Sequence, residues 1–340
     1  MVRFDSEFSR RKVVGSIAGI AAASLIPSAA HAQESSPEVT ATGDEAWTFT
    51  DDLGVTITLP RRPTRIVADL AAAAPLWDFG IRPLAVSGWT VTSDTSWGNV
   101  DRTTPILNTS EDVPDPDIEK LIELEPDLYV TISKFPDDPD IFWSFTSPES
   151  KALAETVMPI VTIAAFGSAA VNMGRYAELA AALGIDLDSP DLVAAKETFE
   201  SSVTTFTDRV AETADLTALF AYIGPDQEWY AAVPELWADL NWVQSLGLNI
   251  VQPTANNGLW ETLSFEQALR YPSDILFNSS RVGTLTPDEL QAHATFGQHP
   301  AVTSGQIGSW TQDFIVSYQG LAAALESILT TVFAAADVTP

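Results

Sequence analysis

Asp117-Ile-Glu-Lys-Leu-Ile-Glu-Leu-Glu-Pro-Asp-Leu-Tyr-Val130 returns in outline 147 positions later as Ser264-Phe-Glu-Gln-Ala-Leu-Arg-Tyr-Pro-Ser-Asp-Ile-Leu-Phe277. Each copy opens on a capping residue and carries a Glu two places on, Glu119 and Glu266. A short amphipathic run follows, then a Pro, an Asp and an apolar stretch, the pattern of a short helix feeding a buried strand. One such unit in each half predicts two similar lobes with a cleft between them. Ligand binding is the first functional expectation.

Outward from these copies the same theme recurs. Ala71 to Phe79 and Pro148 to Val157 read as helices, each leading to an apolar strand, Leu84 to Val86 and Ile160 to Ile163. Helices alternating with near-continuous apolar strands predict an α/β fold with parallel sheets covered on both faces. Trp47 to Leu59 alternates on either side of Asp52-Leu53-Gly54, a hairpin signature. Ser168 to Leu183 and a longer run from Ser189 towards Ala211 are helical and mark the join between lobes. In the second half, Leu219 to Ile223, Asn249 to Val251 and Ile275 to Phe277 read as strands. Glu235 to Leu246, Phe265 to Tyr271 and Tyr318 to Phe333 read as helices. The expected organisation is 47–167 for the first lobe, 168–212 for the helical join and 213–340 for the second lobe.

The first 32 residues read as an export signal. Arg10-Arg11 precedes a short, weakly apolar run, and Ala30-His31-Ala32 offers a cleavage site, which suggests the twin-arginine route. Residues 33–46 are Ser/Pro/Glu/Thr-rich and read as a flexible tether. A periplasmic or otherwise extracytoplasmic protein is expected, not membrane-spanning once the signal is removed. A formal charge of −29 argues against nucleic acid, whose phosphates need clustered Lys and Arg. The absence of cysteine excludes disulfides, thiolate metal sites and cysteine nucleophiles, and no lipid anchor on an N-terminal cysteine is expected.

The chain resembles the extracytoplasmic solute-binding proteins that deliver ferric siderophores, haem or cobalamin to ABC importers. The resemblance runs from about Phe49 to Ala335. It is carried by Asp51 to Pro60 with Pro63 to Val67, by Ile118 to Leu128, by Trp260 to Glu266 and by Pro300 to Ile307. It implies two α/β lobes joined by one long rigid helix, the class III periplasmic-binding-protein-like arrangement, which closes only slightly on its ligand. It also implies that Glu119 and Glu266 pair with arginines of the importer's permease. The partners it implies are a bulky chelate and an ABC permease, with the protein itself a monomer.

Ligand contacts are expected in loops after the carboxyl ends of the parallel strands. Trp89, Trp97, Trp143, Trp229, Tyr230, Trp260 and Trp310 are placed there by the strand assignments, with Trp89, Trp260 and Trp310 favoured by the resemblance. Indole faces suit the apolar flanks of a chelate. Arg102 and Arg281 are candidates for an anionic ligand oxygen, and Tyr318 for a hydrogen bond from the start of the last helix. Trp77, Trp237 and Trp242 lie within helical patterns and are assigned to packing. Two histidines, His293 and His299, follow the signal, too few for a bare metal site, so no intrinsic cofactor or metal is expected. A ferric siderophore would arrive with its own ligands.

Few basic residues near the cleft disfavour a highly anionic catecholate complex. A hydroxamate-type siderophore is the first expectation, then other siderophores, cobalamin and haem. An enzyme is disfavoured: Asp137-Asp138 reads as part of a turn, and no nucleophile or phosphate-loop motif occurs. An adhesion or signalling module on the same fold is the remaining alternative.

Overall fold

The computed structural model describes residues 46–92, 96–110, 113–135, 144–226 and 228–339. The expected export signal and most of the tether lie outside them, as do Asp137, Asp138 and Trp143. The predicted hairpin forms from β1 (Trp47–Thr50) and β2 (Thr56–Leu59), antiparallel with Phe49 opposite Ile57. Then come β3 (Ile66–Asp69), α1 (Leu70–Asp78) and β4 (Ala85–Ser87), followed by a small ribbon, β5 (Asn108–Ser110) and β6 (Val113–Pro116). The first half continues with α2 (Ile118–Leu124), β7 (Leu128–Ser133), α3 (Pro148–Glu155) and β8 (Ile160–Ala164). Its sheet has the order β4-β3-β7-β8 and every pairing is parallel.

Two helices lead to the second half, α4 (Ala169–Ala182) and α5 (Pro190–Glu212). At 23 residues α5 is about 35 Å long at 1.5 Å per residue. It buries only a narrow stripe, Leu192, Phe199, Phe206 and Val210, as a strut lying on the surface would. The second half comprises β9 (Ala218–Ile223), β10 (Glu228–Ala232), α6 (Ala238–Ser245), β11 (Trp260–Ser264) and β12 (Ile275–Ser279). It ends with α7 (Pro287–Ala292), α8 (Pro300–Thr303), β13 (Ile307–Trp310) and α9 (Tyr318–Ala334), which packs along α5.

The second sheet, β11-β10-β9-β12-β13, corrects the expectation of purely parallel sheets. β9, β12 and β13 are parallel, but β10 and β11 run antiparallel. The connection through Gly224-Pro225-Asp226 is too short for a parallel crossover, so the chain must turn back on itself. Asn249 to Val251 forms only an isolated bridge from Ile250 to Ala218, not a strand. Phe265 to Tyr271 yields one 3-10 turn, Phe265–Gln267, where a longer helix is predicted. In the first copy the helix closes on Glu125 in the left-handed region (φ 44°) just before Pro126. The second copy has one residue fewer before Pro272, and the residue before a proline resists helical geometry.

The repeated Asp explains why the two copies look alike. Asp127 Oδ2 accepts the amides of Thr64 (2.8 Å) and Arg65 (2.9 Å) and the Thr64 hydroxyl, fixing the entry to β3 beside β7. Asp274 Oδ2 accepts the amide (2.8 Å) and hydroxyl (2.9 Å) of Thr217 at the entry to β9, beside β12. Its other oxygen accepts the amides of Val338 and Thr339 and ties down the chain end. Burial pushes the Asp274 carboxyl up, but these four bonds outweigh it and hold it at about 2. The folded value lies below that of an unfolded Asp, so this stabilisation is complete above about pH 4 and is lost as pH falls towards 2. Asp274→Ala is expected to cost about 3 kcal/mol at pH 7 and much less near pH 2.5, read from urea midpoints at both. An equal cost at both pH values would refute this staple.

Each sheet is covered on both faces. Tyr129, Val67 and Leu121 belong to a cluster under α2 and α3, and Leu219, Trp229 and Leu290 to one under α7 and α8. The inner faces share one larger cluster, from Val130 and Ile163 of the first sheet through Tyr176, Phe199 and Trp242 to Phe220 and Phe277 of the second. Among the described residues no helix is long and apolar enough to cross a membrane.

Candidate functional site

Alternation along the second sheet sends all of its strand aromatics except Trp229 to one face. Phe277 lies opposite Phe220, Tyr222 opposite Tyr230, Ala232 opposite Trp260, and Ser279 opposite Trp310. Directly paired residues share a face, as do residues two apart. The rings form a continuous series. Phe277 stacks on Phe220 at 4.5 Å, Phe220 meets Trp310 edge-on at 5.7 Å, and Trp310 meets Trp237 at 5.0 Å. From Trp237 the series runs to Trp260 (4.8 Å), Tyr230 (6.2 Å) and Tyr222 (6.0 Å). It passes from fully buried Phe277 to half-buried Trp260, Tyr230 and Tyr222, forming a supported aromatic wall of which Trp237 lines the cavity described below. Gly308 makes room for it: a Cβ there would lie 2.5 Å from the Phe277 ring.

Two hydrogen bonds fix the inner part of the wall. Trp237 Nε1 donates to the Leu259 carbonyl (3.1 Å), and Trp310 Nε1 donates to Asp239 Oδ2 (2.7 Å). Burial pushes the Asp239 carboxyl up to about 6, against the pull of the Trp310 bond and of Lys134. Lys134 comes from the first half, immediately after β7, and its ammonium lies 5.6 Å from the Trp237 ring centre. Burial is the main influence lowering Lys134 to about 8; Arg281 adds to it, and Asp313, Asp69 and Asp239 oppose it. Arg281 binds Asp313 through Nε (2.8 Å) and a second, short contact from its Nη2. Burial would raise the Asp313 carboxyl, but this pairing holds it below its ordinary value.

Between the walls lies a cavity of about 60 Å³, or 710 Å³ if open solvent is counted. Ile132 in β7, Lys134 just after it, Ala164 and Ala165 at β8, and Tyr176 on α4 form one side. Trp237, Leu259 and the segment from Gln312 to Val316 after β13 form the other. The parallel strands therefore end at the cavity, where open α/β sheets place ligands.

The structure separates the predicted ligand residues into groups. Tyr230, Trp260, Trp310 and Arg281 come together at the wall. Trp310, however, is only 2% exposed and supports Trp260 from behind, while Arg281 is engaged with Asp313. Trp89 is half-buried at the start of a 3-10 turn after β4. Trp97 is buried with Nε1 on the Val91 carbonyl (2.9 Å), and exposed Arg102 lies over its ring at 4.9 Å, so Trp97 anchors its loop. Trp229 is fully buried on the opposite face of the sheet, against Phe296, because one step along a strand reverses the face. Tyr318 packs between Phe79 (5.4 Å) and Phe199 (6.0 Å) at the helix junction. Trp143 lies outside the described residues. Glu119, in the first turn of α2, and Glu266, in the 3-10 turn after β11, are both exposed.

Sequence reasoning missed Lys134, Trp237 and Tyr222. Lys134 carries a usable signal, a lone basic residue directly after a long strand of the first sheet. Trp237 was assigned to helix packing, but it is the N-cap of α6 and faces the cavity. Among the described residues no group of three or more His, Cys, Asp or Glu could hold a metal ion.

Comparison with known proteins fits this geometry. A search of curated proteins finds no match. Among solved structures, the chain is similar to DesE, a ferric-siderophore receptor protein from Streptomyces coelicolor. That similarity has a TM-score of 0.77 at 28% identity and covers 86% of this chain and all of that one. The periplasmic catecholate-siderophore binding protein VctP of Vibrio cholerae shares the fold, with a TM-score of 0.58 at 16% identity over 85% of this chain and 100% of its own. So does the iron uptake ABC transporter substrate-binding protein PiuA of Streptococcus pneumoniae, with a TM-score of 0.59 at 18% identity over 85% and 99%. The family described as periplasmic binding protein matches residues 67–314, well over half the sequence, and the chain belongs to that family.

Proposed function

We propose that this protein binds an iron–siderophore complex of the hydroxamate type outside the cytoplasm and delivers it to an ABC import permease. The observation that carries the reading is the aromatic wall of Trp260, Tyr230 and Tyr222 at the strand ends, built in a chain similar to a ferric-siderophore receptor. Flat, half-buried rings cover the apolar flanks of a chelate with little loss of side-chain freedom. Lys134 and the Arg281–Asp313 pair leave the inner cleft without the several uncompensated cations that a highly anionic catecholate complex would need. A neutral or singly charged ferric hydroxamate suits it better.

The reading needs no catalytic step and no resident metal. Exposed Glu119 and Glu266, set at matching points of the two repeated units, are the proposed permease contacts.

Titration with a ferric trihydroxamate is expected to quench tryptophan fluorescence saturably, and Trp260→Ala to weaken binding about tenfold, the loss of about 1.4 kcal/mol of ring contact. A ferric catecholate is expected to bind more weakly. Silence towards every siderophore, haem and cobalamin would reject the reading, and selective binding of haem or cobalamin would redirect it.

A further inference from the structure

The two repeated units agree in more than their acids. Position by position, residues 117–126 and 264–273 share one pattern of burial, although the first folds as an α-helix and the second as a 3-10 turn. Leu121 and Ala268 are the inward side chains, at 0% and 1% exposure. At the outward positions the chemistry mostly changes: Lys120 is matched by Gln267, Glu123 by Arg270 and Glu125 by Pro272. It is kept where Glu119 matches Glu266 and where Ile122 matches Leu269. Ile122 is 58% exposed and Leu269 47%. A lone exposed aliphatic is ordinary. Core packing does not account for one retained at equivalent points of two different backbones.

Each aliphatic follows its acid by three residues. In an α-helix, positions three apart are neighbours on one face. In the second unit the Ala268 amide donates to the Phe265 carbonyl (3.2 Å) and the Arg270 amide to the Gln267 carbonyl (2.9 Å). A winding of about three residues per turn sets every third side chain in line. Both units therefore present a carboxylate beside an alkyl group. The basic side chains nearby are taken up, Lys120 by Asp117 (3.5 Å) and Arg270 by Glu261 (3.1 Å). The charge left beside each aliphatic is negative and complements a cationic partner.

We propose that Ile122 and Leu269 are the apolar part of the two permease contacts. Each seats in an apolar socket whose rim carries the basic side chain that pairs with Glu119 or Glu266. The proposal rests on the permease reading and adds what strengthens those pairs: alkyl groups around an ion pair exclude water, and the same charges attract more in a lower dielectric. Neither aliphatic lines the cavity, so cargo binding does not use them.

The test sets Ile122→Ser with Leu269→Ser beside Glu119→Lys with Glu266→Lys and beside Val171→Ser, an aliphatic 65% exposed on α4 outside both units. Cells carrying only one variant are measured for uptake of a radioactive ferric trihydroxamate per amount of exported protein, and the purified variant for affinity towards the same complex. Burying an aliphatic side chain is worth about tenfold or more in affinity. The serine pair is therefore expected to lower uptake at least tenfold, with cargo affinity within about twofold of wild type and an unchanged melting temperature. Val171→Ser, and the swap Ile122→Leu with Leu269→Ile, are expected to transport normally. Normal uptake by the serine pair beside failure of the charge-reversed pair overturns the apolar contacts and leaves the acids as the docking groups. Normal uptake by both pairs overturns the permease reading as well. An equal loss in Val171→Ser overturns the proposal. So does a wild type that sediments as a dimer and becomes a monomer on the serine substitutions, which would assign these residues to a second copy of the chain.

Discussion

Glu119→Lys combined with Glu266→Lys is expected to abolish uptake of the iron complex by cells, while the purified variant binds the same complex within about twofold of wild type. Both side chains are exposed, and neither lines the cavity. Glu119 sits in the first turn of α2 above the Asp117 cap, whose Oδ1 accepts the Glu119 amide at 3.0 Å. The Ser264 hydroxyl and its own amide hold the Glu266 carboxyl below its ordinary value, so it is anionic throughout the physiological range. A charge pair 4 Å apart in water is worth about 1 kcal/mol, and reversal turns that attraction into an equal repulsion. Two reversed contacts amount to about 4 kcal/mol, near a thousandfold in docking affinity. The encounter rate also loses its steering. Uptake of radioactive iron by cells carrying only the variant measures the first half, and fluorescence titration the second. Glu123→Lys, on the exposed side of the same helix, serves as a control for net charge and is expected to transport normally. Wild-type uptake by the double variant, or lost cargo affinity, would remove these two residues from the docking role.

The first half of the fold was legible because its signals are local and unopposed. Asp117 caps, Leu121 is the buried residue of a short helix, Pro126 stops that helix, and β7 is buried on both faces. The short helix expected after the Asp117 cap forms as Ile118–Leu124. The second half hid two strands because β10 has no polar alternation: Trp229 and Tyr230 are adjacent and both aromatic, since each face of that sheet is covered. β11 misleads in the opposite way. Its second residue, Glu261, reads as solvent-facing, yet it is buried, accepting the Tyr271 hydroxyl (2.6 Å) and the Thr254 amide (2.8 Å) and pairing with Arg270 (3.1 Å). Losing these strands scattered the aromatic site among apparent loops. Tyr230 and Trp260 stand out in the sequence as residue types, while their common wall with Trp237 and Tyr222 depends on strand register. Register is a non-local property that no window of sequence displays.

Asp69→Asn is expected to stabilise the protein at pH 8 and change it little at pH 4.5. Asp69 ends β3, caps α1 through the Ala71 amide (2.7 Å), accepts the Ser144 hydroxyl (2.8 Å) and is fully buried. Gly88, at φ +114°, lets the backbone press against it; a Cβ there would lie 2.8 Å from Oδ2. Burial pushes the carboxyl up to about 7, against the Ser144 and Ala71 bonds and the charge of Lys134. Because the folded value exceeds the unfolded value near 4, the folded state holds a proton that the unfolded chain has already released. Stability is therefore full below about pH 4 and declines as pH rises to about 7, by at most about 4 kcal/mol at 1.36 kcal/mol per pH unit. Asparagine keeps the oxygen that caps α1 and adds a donor towards Ser144, whose hydroxyl can turn to Thr131 Oγ1 at 2.9 Å. Asp239, raised to about 6, contributes the same trend to both proteins and cancels in the difference. Urea midpoints at the two pH values read that difference directly. Parallel pH curves for wild type and variant would mean that Asp69 enters the fold already ionised, held by Lys134 across the floor of the cleft. In that case replacing Lys134 with Met should destabilise the protein most at high pH, which separates a buried ion pair from a buried neutral acid.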